Sequence, residues 1–186
     1  MKISLIVEGP SDEKVLRGQG NWFKKLGLEV DIHPTGGRPN MIKKAIEYYK
    51  LAKYTGSEKT IFLPDQEIDI CPMITRQKIG IDSLPEDEAV TIVIKRELEA
   101  WILADGQCIR DSIGGHYHPA GQTDTEINSK EKLKHILKHK KSHKPTTMEA
   151  AKIVTNHFSI TRAAINNTSA KRFKDFLENT SQNRDI

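Results

Sequence analysis

A chain of 186 residues and 21.0 kDa, 37% hydrophobic with mean hydropathy −0.55, is long enough to build one domain whose core needs no disulfide or structural metal. No apolar run approaches the roughly 20 residues of a membrane helix. The apolar start is too short for a signal peptide, and two cysteines without CxxC spacing, Cys71 and Cys108, fit reduced thiols in the cytoplasm. The net charge of +4 is unevenly laid out: residues 1–127 hold 16 Lys/Arg against 20 Asp/Glu, and residues 128–186 hold 13 against 5.

In chain order, Lys2–Val7 is an Ile/Val-rich run that reads as a buried strand, broken by Glu8-Gly9-Pro10-Ser11. Ser11 or Asp12 can cap a helix through Val15, Leu16, Trp22, Phe23 and Leu26, with a break expected at Gly18-Gln19-Gly20. Leu28–His33 reads as a second strand, and Pro34–Pro39 as a turn-rich loop that leads into a helix over Met41–Tyr54. Thr60–Leu63 is a third strand ending at Pro64-Asp65, followed by a helix near Pro72–Ile79. Ala89–Ile94 is a fourth strand, with a helix over Glu97–Asp105. This alternation predicts an α/β Rossmannoid fold: a mostly parallel four-stranded sheet with helices on both faces, occupying residues 1–112.

From Gly114 to Asn128 the chain is polar and Gly-rich and reads as a linker. A basic helical extension, residues 113–186, then packs on the core. Its predicted helices are Lys130–Lys141, one opened by the capping box Thr146-Thr147-Met148-Glu149, and Ala170–Leu177.

In open α/β sheets, ligands sit beyond the carboxyl ends of the strands. Glu8 closes the first strand, with Asp12 four residues on. Asp65 and Glu67 close the third, with Asp69 beyond, and Glu97 and Glu99 follow the fourth. Asp65 and Glu67 share one direction if the chain stays extended. Crowded carboxylates either rise in pKa or recruit a cation. Their hard oxygens favour Mg2+ or Mn2+, which can orient a phosphate and ionise an attacking water. Each group alone also fits a plain role: a strand-to-helix turn at Glu8, loop chemistry at Asp65–Glu67, and helix-dipole placement at Glu97 and Glu99. Their order after successive strands favours one shared metal site.

Two stretches resemble the TOPRIM domain of topoisomerases, primases and OLD-type nucleases. Ile6-Val7-Glu8-Gly9-Pro10-Ser11-Asp12 resembles its first motif, and Leu63-Pro64-Asp65-Gln66-Glu67 its Asp-x-Asp element. More closely, the chain resembles a bacterial family of small TOPRIM-like proteins of undefined function. The likeness rests on the run from Arg96-Glu97-Leu98-Glu99-Ala100-Trp101 to Asp105, and on Ser169-Ala170-Lys171-Arg172-Phe173-Lys174-Asp175-Phe176-Leu177.

The resemblance implies a magnesium-dependent nuclease acting on DNA or RNA, in genome defence or nucleic-acid processing. Glu8 would be a metal ligand or general acid/base, and Asp65, Glu67 and Asp12 would be ligands. Beside these, Glu97 or Glu99, from their place after the fourth strand, would add a ligand or orient water. Two positions depart from the pattern: Glu67 stands where TOPRIM domains usually carry Asp, and Asp12 where OLD-type nucleases usually carry Glu. Relatives of this architecture work beside ABC-type ATPases, so an ATPase partner is implied, as is the alternative of a catalytically silent binding subunit. Assembly into a homo-oligomer is compatible with either.

Lys95 and Arg96 could neutralise a transition-state phosphate or pair with neighbouring acids, and Arg38 is a further candidate phosphate contact. Lys138, Lys140, Lys141 and Lys144 would contact a nucleic-acid backbone without reading its sequence. His135, His139 and His143 recur at helical spacing, yet the lysines among them favour a solvated basic face over a zinc site. Cys108, Trp101, Phe173 and Phe176 read as core residues, and His116 and His118 as loop residues.

Overall fold

The computed structural model describes residues 1–119, 121–140 and 143–182. Its centre is a four-stranded, all-parallel sheet of order β2-β1-β3-β4, formed by β1 (Lys2–Val7), β2 (Glu29–Pro34), β3 (Lys59–Leu63) and β4 (Ala89–Thr91). A parallel sheet is stable only when both faces are covered, so its strands must be apolar on both sides. β1 meets that demand, with Ile3, Leu5 and Val7 buried in one cluster and Ile6 in the other.

The two faces are unequal. The smaller cluster joins Ile6 and Phe62 to Met41 of α3 (Arg38–Lys43), Ala45 of α4 (Ala45–Tyr54) and Ile79 of α5 (Pro72–Ile79). The larger face carries α1 (Pro10–Arg17), α2 (Gly20–Lys25) and α6 (Leu98–Ala104). It also carries everything that follows: α7 (Gly106–Ile113), α8 (Ser129–Leu137), α9 (Thr147–Val154), α10 (Ile160–Asn166) and α11 (Thr168–Gln182). The segment after residue 112 is therefore not an appendage. Leu133, Leu137, Val154, Ile160, Phe173 and Leu177 are fully buried in the same cluster as Ile3 and Leu5.

Polar ties seal this arrangement. Gln19 donates Nε2 to the Phe158 carbonyl at 2.8 Å and accepts from the Ile160 amide at 3.2 Å. Asp105, buried at the end of α6, takes both nitrogens of the Arg162 fork at 2.7 and 2.9 Å, plus the Ser159 and Cys108 amides. Trp101 donates its indole N–H to Ser169 Oγ at 2.8 Å and stacks on Phe173. The two stretches that carry the family resemblance thus pack against each other. Truncating a fully buried Trp101 to Ala costs about 3–5 kcal/mol.

Local chemistry sets most boundaries. The expected break near Gly18 separates α1 from α2. Gly18 is required because a Cβ there would lie 2.6 Å from the Thr155 carbonyl, where α1 meets the end of α9. The expected helix over Met41–Tyr54 starts earlier, with Pro39 in its first turn, and breaks at Lys44. The Thr146 capping box forms as expected, with Glu149 N–H donating to Thr146 Oγ1 at 3.2 Å and Thr146 N–H to Glu149 Oε2 at 2.9 Å. The Gly114–Asn128 linker is partly structured: it holds a short 3-10 turn at Thr123–Thr125 whose Thr123 and Asp124 are buried. α7 and α10 were not expected from the sequence. Among the described residues no helix is long and apolar enough to cross a membrane.

Candidate active site at the strand ends

β1 and β3 run side by side in parallel with Val7 opposite Leu63, so the residues just past each strand emerge together. Glu8 reaches across the gap and accepts the Asp65 amide at 3.0 Å through Oε1. The turn beyond Glu8 is fixed from behind. Gly37 donates its N–H to the Glu8 carbonyl at 2.7 Å, and its φ of 117° is one that only glycine adopts readily. Asp12, in the first turn of α1, folds back to accept the Gly9 amide at 2.8 Å.

The chain beyond β3 stays alongside the chain beyond β4. Asp65 bridges to Ile94, the Gln66 amide donates to the Ile94 carbonyl at 2.8 Å, and the Glu67 amide donates to Arg96 O at 3.0 Å. These contacts bring Glu97 and Glu99, at the start of α6, toward Glu8, Asp12 and Asp65.

Electrostatics define the cluster. Burial raises the Glu8 carboxyl to about 7; the Asp65 amide resists the shift, while Glu67 and Asp12 add to it. Burial likewise raises Glu99 to about 7 and pushes Asp12 upward. Asp65 is raised well above the carboxylate range, by burial first and then by the charges of Asp12, Glu8 and Glu99. Within the described residues no hydrogen bond or ion pair reaches the Asp65 carboxylate.

One cation shares this space, and sequence reasoning missed it. Lys130, in the first turn of α8, lies in the field of Glu99, Glu97, Asp65 and Asp12. Burial would lower its pKa, yet these acids together raise it. Its Nζ is 3.4 Å from Glu97 Oε1. Glu97 also accepts the Lys130 amide at 2.9 Å and the Ser129 hydroxyl at 3.1 Å, so its carboxylate caps α8. As they stand, no three Asp, Glu, His or Cys side chains among the described residues are grouped closely enough to hold a metal ion.

Other expected site residues fall elsewhere. Glu67 does not continue β3. Its φ of 48° turns the chain, its side chain is about half exposed, and Oε2 lies 3.5 Å from Arg38. Arg38, expected to meet phosphate, is buried and committed to the Asp69 carboxylate and the Gln66 carbonyl. Lys95 faces Asp124 at 3.8 Å. Arg96, also in left-handed backbone with φ 65°, makes no ion pair among the described residues.

Glu67, Ile68, Arg96, Glu97, Ile127 and Asn128 line a cavity of about 400 Å³ beside the acidic cluster. Ile68 and Ile127 are 93% and 67% exposed on its rim, and neither was expected from the sequence.

In the basic segment, Lys138 and Lys140 are exposed without ion pairs among the described residues, whereas Lys144 pairs with Glu131. Lys141 and the side chain of His139 lie outside the described part of the structure. His135 is exposed, and His143 lies 3.4 Å from Glu149. Cys108 is buried, with its thiol raised by burial to about 12, as a packed core residue requires.

No family model, curated protein or solved structure matches this chain.

Proposed function

We propose that the chain is a divalent-metal-dependent nuclease of TOPRIM type, hydrolysing phosphodiester bonds of DNA or RNA, with its centre at the ends of β1 and β3. The observation that carries this reading is the buried Asp65 carboxylate, which no hydrogen bond or ion pair reaches among the described residues, beside a Glu8 that bonds its amide at 3.0 Å. A buried acid in the field of Lys130 but bonded to no donor among the described residues stays unfavourable unless a cation or a proton neutralises it. The donor set is all carboxylate, which suits Mg2+ or Mn2+. Glu8, Asp65 and Glu99 would hold the ion once their side chains draw closer together than they stand here, with Asp12 behind Glu8. Glu97 and Glu67, engaged with α8 and Arg38, would contribute less. Bound there, the metal would polarise a phosphate and lower the pKa of an attacking water.

The chain's own groups divide the remaining work. Glu8, poised near neutrality, can take and return a proton at its carboxylate. Arg96, which makes no ion pair among the described residues, offers a guanidinium on the cavity lining suited to a phosphate oxygen. Lys95, held near Asp124, stands further from this role. Lys138 and Lys140 would guide the polyanion.

Purified protein incubated with supercoiled plasmid or RNA in millimolar Mn2+ provides the test. Cleavage that is lost in Glu8→Gln and in Asp65→Asn supports the proposal; undiminished cleavage in either variant ends it.

A second reading has its own support. The Lys130 ammonium already stands among the acids, as a resident cation would in a binding subunit without catalysis, such as one serving an ATPase partner. Thermal stability followed against Mn2+ separates the two. A rise that saturates indicates ion binding, and no rise at millimolar metal favours the silent subunit.

A further inference from the structure

The far edge of the sheet presents a second surface, independent of the acidic cluster. Among the described residues β4 is an edge strand, paired with β3 alone. Its inward backbone groups belong to alternate residues: the Glu88 carbonyl accepts from the Thr60 amide, Ile92 N–H donates to Phe62, and Ile94 N–H to Pro64. By the alternation of a strand, the amides and carbonyls of Thr91 and Val93 point away from the sheet. Thr91 and Val93 are buried, at 7% and 4% exposure, on the floor of a groove, and both ends of this unbonded stretch are closed. The Ala89 amide donates to the Pro85 carbonyl at 2.9 Å, and the Lys95 amide donates to Ser169 Oγ at 3.2 Å. Between these closures no hydrogen bond to the outward groups of Thr91 or Val93 is made among the described residues. The buried Thr91 hydroxyl also lacks a partner.

A groove of about 420 Å³ runs over this edge, walled by Pro72, Met73 and Arg76 of α5 and by Arg172 and Phe176 of α11. Met73 is 64% exposed and Phe176 half-buried, so the groove offers apolar surface. Phe176, expected to be core, packs against the larger core cluster and also lines this groove, and Lys59 Nζ stands 5.4 Å from its ring centre. Arg76 and Arg172, exposed on opposite walls, form no ion pair among the described residues.

We propose that the β4 edge binds an extended acidic segment of a partner protein as an added fifth strand. Three independent demands converge on that occupant. The unpaired amides and carbonyls of Thr91 and Val93 require a backbone with both donors and acceptors. The apolar walls require apolar side chains on the face turned toward Phe176 and Met73. The two exposed guanidiniums, without ion pairs among the described residues, favour anionic groups on either side. A nucleic acid offers anions but neither a peptide backbone nor apolar side chains. A second copy docked edge to edge would set these arginines against themselves, which favours a partner of opposite charge.

The probe is a short fluorescein-labelled peptide of alternating valine and glutamate, titrated into the full chain and followed by anisotropy. Controls replace its glutamates by lysine or its central valine by proline. Saturable binding of the first peptide alone is expected, together with slowed hydrogen exchange at the Thr91 and Val93 amides. Arg172→Glu should weaken it by about tenfold, and Arg76→Glu with Arg172→Glu should switch preference to the lysine peptide. Both arginines are exposed, and unchanged circular dichroism confirms that the variants fold. Equal binding of the proline control, or no saturation at millimolar peptide, overturns the proposal. Displacement of the peptide by a single-stranded oligonucleotide, with the two amides left unprotected, reassigns the groove to nucleic acid. Protection that grows with protein concentration alone reassigns it to a second copy.

Discussion

Asp65 and Asp69 stand four residues apart, and both are buried, yet they sit in opposite electrostatic worlds. Asp69 is surrounded by donors: Lys78, Arg38 and Thr75 all bond its carboxylate, and they hold its pKa well below the usual range. Asp65 receives no such bond among the described residues, and burial with the charges of Asp12, Glu8 and Glu99 drives it the other way. One carboxylate fastens a loop to α3 and α5. The other belongs to a cluster whose charge the fold leaves undercompensated, and such clusters concentrate at functional sites.

The sharpest test of that contrast is catalytic. If the undercompensated cluster is the centre of a nuclease, Glu8→Gln lowers metal-dependent plasmid nicking by about 10²- to 10⁴-fold, while folded Asp69→Asn protein keeps its activity. Equal losses in both variants would erase the distinction between a site and a structural pair.

Stability should move in opposite directions too. Removing charge from the undercompensated side relieves strain, so Glu99→Gln is expected to raise the unfolding free energy in EDTA at pH 8 by about 1–3 kcal/mol, reflecting its displaced pKa. Lys130 keeps Glu97, Asp65 and Asp12 as its counter-charges in that variant. Asp69→Asn should lower stability, because it strips Arg38 and Lys78 of a shared partner. Urea titrations of the two variants read both effects, and a loss in Glu99→Gln would contradict the cluster's assigned strain.

A pH series refines the point. Glu8 and Glu99 carry folded-state pKa values raised from 4.5 to about 7. Their favourable contribution is complete below about 4.5 and is lost as pH climbs through 7, because ionisation in the folded state is penalised. The metal-free melting temperature should therefore decline between about pH 5 and 8. Added Mn2+ should restore it most at the upper end, where the carboxylates are free to ligate. A melting temperature flat across that window would show that these groups titrate normally.

The reach of sequence reasoning follows the same division between local and distant causes. The strands were legible because runs such as Ile3–Val7 and Thr60–Leu63 are apolar on both sides. The meeting of Glu8 with Asp65 follows once those strands are neighbours. The helix start at Thr146 was legible from capping chemistry within a few residues. Glu67 was misplaced because its left-handed φ depends on a bond from its amide to Arg96 O, 29 residues away. Lys130 was missed for a related reason: no local pattern marks it, and Glu97 draws it in only once α8 packs on α6. The extension was expected to pack on the core, but its surface charge dominates the pattern and hides how deeply it does so. Its buried stripe of Leu133, Leu137 and Val154 finishes the larger face of the sheet.

The smallest expected effect concerns the basic surface, where the contrast between paired and unpaired groups reappears among lysines. Lys138 is exposed without an ion pair among the described residues, and Lys144 is held by Glu131. An unpaired lysine that meets a phosphate releases about one counterion on binding, whereas a lysine already neutralised by a glutamate releases less. Lys138→Gln should weaken binding to a duplex or an RNA uniformly across sequences and reduce the slope of log K against log salt by about 1. Lys144→Gln should change that slope less, because Lys144 is already neutralised by Glu131, which keeps Lys134 at 3.0 Å as a partner in the variant. Anisotropy titrations at several salt concentrations separate the two. If both slopes equal that of the unsubstituted chain, the basic segment does not touch nucleic acid, and its charge serves only to keep α8 solvated.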